Sequence, residues 1–189
     1  HSLPSEEECR DYFEQYHVPE NIRRHCLMVQ RTALTLAREL VARGVTIELP
    51  FVSRLAMLHD LFKMVTIKEF GTGFHTGAVI TKEQARFWQA MREKYKDKYE
   101  GEVAHAVLKD RYPALAESLL NVSNPKNTNP TWEELAVHYA DWRILQENIV
   151  SIDERIAYLR QRYARPEEVW QEREMKIRQQ EKEIFSHLN

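Results

Sequence analysis

The chain has 189 residues, and its 27 Lys and Arg against 29 Asp and Glu leave a net charge of −2 at neutral pH. That near balance argues against bulk electrostatic attraction to a nucleic-acid polymer or an acidic membrane. No run approaches the ~18 apolar residues of a membrane span either. A hydrophobic content of 43% over this length suits one compact domain with a sizeable core. Cys9 and Cys26 lack any CxxC spacing and read as free thiols in a reducing compartment. No basic-then-apolar leader is visible, so the expected setting is soluble and cytoplasmic.

Only five glycines, 30% charged residues and repeated start signals predict helices almost throughout. Four segments open with a hydroxyl residue followed three positions later by Glu or Gln: Ser5 with Glu8, Thr81 with Gln84, Thr131 with Glu134, and Ser151 with Glu154. Each pattern can satisfy helix N–H groups that would otherwise lack acceptors. Between Asn21 and Arg43, Ile22, His25, Val29, Ala33, Leu36 and Leu40 recur at steps of three and four, the spacing of one helix face. Gly44 stops that helix. A short, buried helix is predicted to start near Pro50, with Phe51, Leu55, Leu58, His59 and Phe62 as its stripe. The segment from Gly71 to Gly77 holds three of the five glycines and reads as a loop.

Further helices are predicted from Thr81 to Tyr95, Glu102 to Asp110, Pro113 to Asn121, Thr131 to Gln146 and Ser151 to Tyr163, with a turn-rich connection from Asn121 to Pro130. The heavily charged segment from Pro166 to Leu188 places Trp170, Ile177 and Ile184 at intervals of seven. It lacks a filled second apolar row, so it reads as a helix packed along the body or as a dimer contact. The expected fold is an all-α multi-helix bundle with no substantial sheet, residues 1–165 forming the helical domain and residues 166–189 the charged C-terminal helix.

Chemistry is concentrated where the buried run Leu55-Ala-Met-Leu-His-Asp-Leu-Phe62 is interrupted by His59-Asp60. A carboxylate taken out of water must be paired, hydrogen-bonded or metal-bound. His25 lies on the apolar face of the preceding long helix, and Asp141 sits in the apolar run from Ala136 to Leu145. Two imidazoles and two carboxylates from three helices could converge on one ion. Such mixed ligation suits Mn, Fe, Co, Ni or Zn. The same residues also fit packed, hydrogen-bonded histidines and an aspartate paired with an arginine or a helix N-terminus, and the spacing leaves both readings open.

The order His25, His59-Asp60, Asp141 resembles the HD-domain family of metal-dependent phosphohydrolases. The likeness is carried by Pro19-Glu-Asn-Ile-Arg-Arg-His25 opening a long helix, Leu58-His-Asp-Leu-Phe-Lys63, and Tyr139-Ala-Asp-Trp-Arg143, and it spans about Val18 to Tyr163. The resemblance implies an all-helical domain with His25, His59, Asp60 and Asp141 as ligands to one divalent metal. It also implies a catalytic role for Asp60, which would orient or deprotonate the attacking water, and for Lys63, suited to a phosphate oxygen. Leu61-Phe62 replaces the family's Ile-Gly pair, and Phe62 does not allow the close approach that glycine does.

Some members of that family hold a second metal with extra histidines, for which this chain offers His75 and His105. The stretch from Glu100 to Pro113 resembles the relevant element better and puts Glu100 at the extra histidine's position, so one metal is favoured and the segment from Phe70 to Lys98 reads as a variable insertion. His138, three residues before Asp141, could support the site or assist a leaving group. Arg24 and Arg143 flank proposed ligands and could bind phosphate.

The expected activity is hydrolysis of a small phosphate ester, a nucleotide being favoured, by attack of metal-activated water on phosphorus. Monoester, diester and anhydride are not distinguished. The competing expectation is a catalytically quiet HD domain that binds a nucleotide or a protein. A metal-free helical interaction protein is a third. Expected partners are a small phosphate ester and, through the C-terminal helix, a second copy of the chain, with no nucleic-acid polymer and no membrane.

Overall fold

Caps set the first element of the computed structural model, which describes residues 1–67 and 80–189. The Glu8 amide donates to Ser5 Oγ and the Ser5 amide donates to the Glu8 carboxylate, so α1 (Glu6–Gln15) begins where the sequence predicts. Helix α2 (Glu20–Ala42) follows Pro19 and buries Ile22, His25, Cys26, Val29, Ala33, Ala37 and Leu40 along one face. Gly44, at φ +90°, takes the left-handed conformation that ends it.

Helix α3 (Leu49–Leu58) carries Pro50 in its first turn and stops four residues short of the predicted stripe. His59 Nδ1 bonds the Ala56 carbonyl at 2.6 Å, and tight turns from Leu58 to Leu61 and from Asp60 to Lys63 lead into α4 (Lys63–Thr66). Burial runs all round this segment, from Leu55 to Phe62 without a break. Periodicity therefore carried no signal for the helix end.

Thr81 and Gln84 form a reciprocal cap at the start of α5 (Lys82–Lys94). Its Trp88 is buried and donates its indole N–H to the Tyr16 carbonyl. Helix α6 (Glu100–Leu108) begins two residues before its predicted start, because the Glu102 carboxylate accepts the Tyr99 amide and so belongs to the first turn. Helix α7 (Pro113–Ser123) lies against α6 at Gly101, where a Cβ would come within 2.7 Å of the Leu119 carbonyl oxygen and 2.9 Å of Leu120 Cα.

Helix α8 (Trp132–Trp142) has the predicted Thr131–Glu134 cap but ends four residues before Gln146. The chain turns instead into a minimal antiparallel hairpin, β1 (Ile144–Leu145) with β2 (Asn148–Ile149). Gln146 sits in its turn at φ 58°, and Arg143 ties the hairpin's far end, donating from Nε and accepting at its carbonyl from Val150. Helix α9 (Ile152–Arg162) shows half of its predicted capping box. Ser151 Oγ accepts the Glu154 amide, while its hydroxyl, rather than the Ser151 amide, meets the Glu154 carboxylate.

The charged C-terminal segment forms α10 (Glu167–Leu188). Trp170, Ile177 and Ile184 are all buried, and the last two join Leu135, Tyr139, Ile152 and Ile156 in a cluster on the outer side of α8. The helix is therefore packed along the body of the fold, against α8, α2 and α9. The main core lies between α2, α3, α7 and α8. The protein is all-α apart from the hairpin. Cys9 and Cys26 are free and buried, and burial pushes the Cys9 thiol up to about 12. Among the described residues, no helix is long and apolar enough to cross a membrane. The predicted glycine-rich loop and His75 fall outside the described residues.

Candidate metal centre

Three helices deliver the predicted residues to one point. α2 is amphipathic, so His25 on its buried face points into the core. The end of α3 turns His59 and Asp60 inward together, and the last turn of α8 brings Asp141 from the other side. His25 Nε2 lies 2.8 Å from Asp141 Oδ1 and 3.5 Å from Asp60 Oδ2, and His59 Nε2 lies 3.4 Å and 3.5 Å from the same two oxygens. All four ligand atoms fall within 4.8 Å of one another.

Those separations are the edges of a coordination shell. Ligand atoms about 2.0–2.2 Å from a cation stand roughly 2.8–3.6 Å apart along a tetrahedral or octahedral edge. The His59 ring makes the case sharper. Its Nδ1 is engaged by the Ala56 carbonyl, which turns Nε2 toward the centre, and there Nε2 is buried with no hydrogen-bond partner. At 3.4 Å the nearest carboxylate is too far for a charge-assisted hydrogen bond of about 2.7–2.9 Å. A ring fixed through Nδ1 by a backbone carbonyl, with Nε2 free to ligate, is the usual arrangement of a metal-binding histidine. The buried His25, His59, Asp60, Asp141 group can hold a metal ion. The Asp141 side chain keeps 26% of its surface accessible, against 9% or less for the other three, so it marks the side from which solvent or a ligand reaches the centre.

Charges at the centre are mutually adjusted. Burial works against a charged His59, but the Asp60 carboxylate, with Asp141 and Cys26, outweighs it and holds the imidazole protonated well above its ordinary range. Burial likewise opposes ionisation of Asp141, yet contacts from His25 and His59 keep its carboxyl well below the usual value. Asp60 is lowered too, because His59, Lys63 and His25 overcome its desolvation. Lys63, at the start of α4, is penalised by burial but raised overall by Asp60, Glu100 and Asp141. It thus lies in the field of the centre.

Glu100 is the residue that reasoning from motifs did not place in the site. It sits in the first turn of α6 with Oε1 buried and unpartnered. Burial and the neighbouring Asp60 push its carboxyl up to about 8, against a smaller opposing pull from Lys63. The likeness that put Glu100 at an extra histidine's position was the available signal.

The other candidates divide. His138 is close enough to feel Asp141 and His59, but its Nδ1 bonds Gln180 Oε1 at 2.7 Å. Burial lowers its pKa, only partly offset by that bond. It braces α8 against α10. Arg24 is half exposed and pairs with Glu147. Arg143 is engaged by Val150, Tyr139 and Glu181. Hydrogen bonding to the hairpin, not proximity to the ligands, sets its direction. His105 lies beside Glu117 and outside the four-residue group.

Comparison with family models, with curated proteins and with solved structures finds no match for this chain. What stands on the structure is an all-α protein whose core holds a two-histidine, two-aspartate group suited to a metal ion.

Proposed function

We propose that this protein is a metal-dependent phosphohydrolase of the HD-domain kind, acting on a small phosphate ester, with a nucleotide the favoured class. The convergence of His25, His59, Asp60 and Asp141 from α2, α3 and α8 carries this reading. A divalent cation held by these four residues supplies Lewis acidity toward phosphoryl oxygens and makes water a competent nucleophile near neutral pH. Mixed nitrogen and oxygen donors fit Mn, Fe, Co, Ni or Zn.

The chain's own residues account for the remaining requirements. Ala56 fixes the His59 ring, so the ligand geometry is set before substrate arrives. Asp60, ionised and buried against His25 and His59, is placed to orient the attacking water and take its proton. Lys63, kept charged by the surrounding carboxylates, is suited to offset negative charge growing on the phosphoryl group. Glu100 shares that field and holds its proton at neutral pH, so it adds no charge to repel an anionic substrate.

A second reading rests on Phe62. It is fully buried and packs edge-on against Tyr16, with ring centroids 4.7 Å apart. A ring stands where the family has a glycine that allows close approach, which favours a catalytically quiet domain that binds a nucleotide or a protein.

The test is metal content of the purified protein and of His25→Ala and Asp141→Ala, followed by phosphate release from a nucleotide panel with each divalent ion. The proposal expects about one metal per chain, lost in both variants, and turnover abolished together with the metal in Asp60→Ala. Metal without turnover on any substrate would favour the quiet domain. Absence of metal after reconstitution would remove both readings.

A further inference from the structure

Helix α9 carries a positive charge for which the described fold provides no counter-charge. Arg155 is 6% exposed, and its Nε and Nη1 are buried without a hydrogen-bond partner. One turn further on, the Tyr158 hydroxyl is in the same condition. Among the described residues, no carboxylate lies within ion-pair distance of Arg155, and most buried polar groups elsewhere in the core are satisfied. A desolvated guanidinium lacking an acceptor is costly, and an apolar side chain of its volume would fill the same space without that penalty.

The helix separates its charges by face. Asp153 and Arg160 project toward α10, where they pair with Arg178 and with Glu167 and Glu174. At about 100° per residue, Arg155, Tyr158 and Arg162 share the opposite flank. There the Arg162 guanidinium lies 5.2 Å over the Tyr158 ring. The helix ends at Tyr163, within electrostatic reach of Lys63.

We propose that the Arg155–Tyr158 flank of α9 is a binding site for a phosphate-type oxyanion, separate from the four metal-ligating residues. A guanidinium is the side chain best matched to phosphate oxygens. The phenol adds a neutral donor on the same face, and no carboxylate among the described residues competes. The inference rests on the orphaned donors and not on the hydrolase reading.

The test keeps the two apart. Binding of inorganic phosphate is followed by calorimetry and by thermal shift on protein stripped with EDTA, which removes any metal-held phosphate, and the Arg155 variants separate binding at this flank from binding at Lys63. The expected result is saturable stabilisation by phosphate, weakened about a hundredfold or more in Arg155→Met and about tenfold in Tyr158→Phe. Arg155→Lys, which keeps the charge and loses the planar fork, is expected to fall between wild type and Arg155→Met, and it serves if the methionine variant does not fold. Equal phosphate binding by wild type and the Arg155 variants would overturn the proposal by placing the anion elsewhere. No phosphate effect on wild type, with Arg155→Met simply more stable, would also overturn it, leaving Arg155 as a buried group met by water.

Discussion

Adding a divalent cation to metal-free protein should release about one proton per site at pH 7, because His59 cannot ligate while Nε2 carries hydrogen. In the metal-free structure the surrounding carboxylates hold the His59 imidazole protonated well above its ordinary range, and Nδ1 is committed to Ala56. The proton displaced is therefore the one on Nε2. A folded-state pKa raised in this way means that protons compete with metal throughout the neutral range. Affinity should then climb as pH rises, by about tenfold per pH unit for as long as the metal-free imidazole stays protonated. At a free concentration of about one hundred times Kd, binding should stabilise the fold by about 2.7 kcal/mol, which for a chain of this size raises Tm by about 5–10 °C. Calorimetric titrations in two buffers of different ionisation enthalpy read the proton count directly. Identical heats in both buffers, together with an affinity independent of pH, would refute the argument that His59 is a ligand poised in its charged form.

Glu100 also binds an extra proton in the folded state. Its carboxyl is raised from an ordinary unfolded value to about 8, so the folded state binds the extra proton between about pH 4.5 and 8 and loses stability as pH rises through that window. Glu100→Gln should match wild type near pH 4 and exceed it by a few kcal/mol at pH 8.5 in the absence of metal; parallel Tm profiles for the two proteins would exclude a desolvated carboxyl there. Gly101→Ala should lower Tm by about 5–10 °C. Its new Cβ meets the backbone of α7 at 2.7 Å and 2.9 Å, where no side-chain rotation relieves the clash and overpacking costs about 2–3 kcal/mol. An unchanged melting curve for this variant would mean that α6 and α7 are not packed at this distance.

Several features followed from local chemistry and were legible in the chain. Ser5, Thr81 and Thr131 start helices because a hydroxyl and a carboxylate or amide three residues apart satisfy amides wherever the segment lies. Gly44 ends α2 because only glycine adopts its φ freely. The apolar face of α2 put His25 inside, and the heptad spacing of Trp170, Ile177 and Ile184 anticipated one buried seam on α10. That the seam packs on α8 was a choice of surface, which a pattern along one helix does not contain.

Elsewhere only the tertiary structure decided. α3 ends at Leu58 because the His59 ring takes the Ala56 carbonyl and the following turns aim Asp60 inward, in a segment too uniformly buried for periodicity to mark an end. α8 ends at Trp142 because Arg143 and Val150 close a hairpin on each other. Arg24 pairs with Glu147 and Arg143 bonds the hairpin, partners that their positions beside ligands did not reveal. Arg155 reads as an ordinary charged residue in sequence and Glu100 is marked only by its likeness to an extra histidine's position, and the packing of α6 and α9 is what takes their polar atoms out of water. Residue type and spacing determined which groups could bind a cation and which helices carry them. Whether four ligand atoms meet within 4.8 Å, and which other charges share their field, depended on how those helices cross. Crossing is set by the summed packing of side chains distant in sequence.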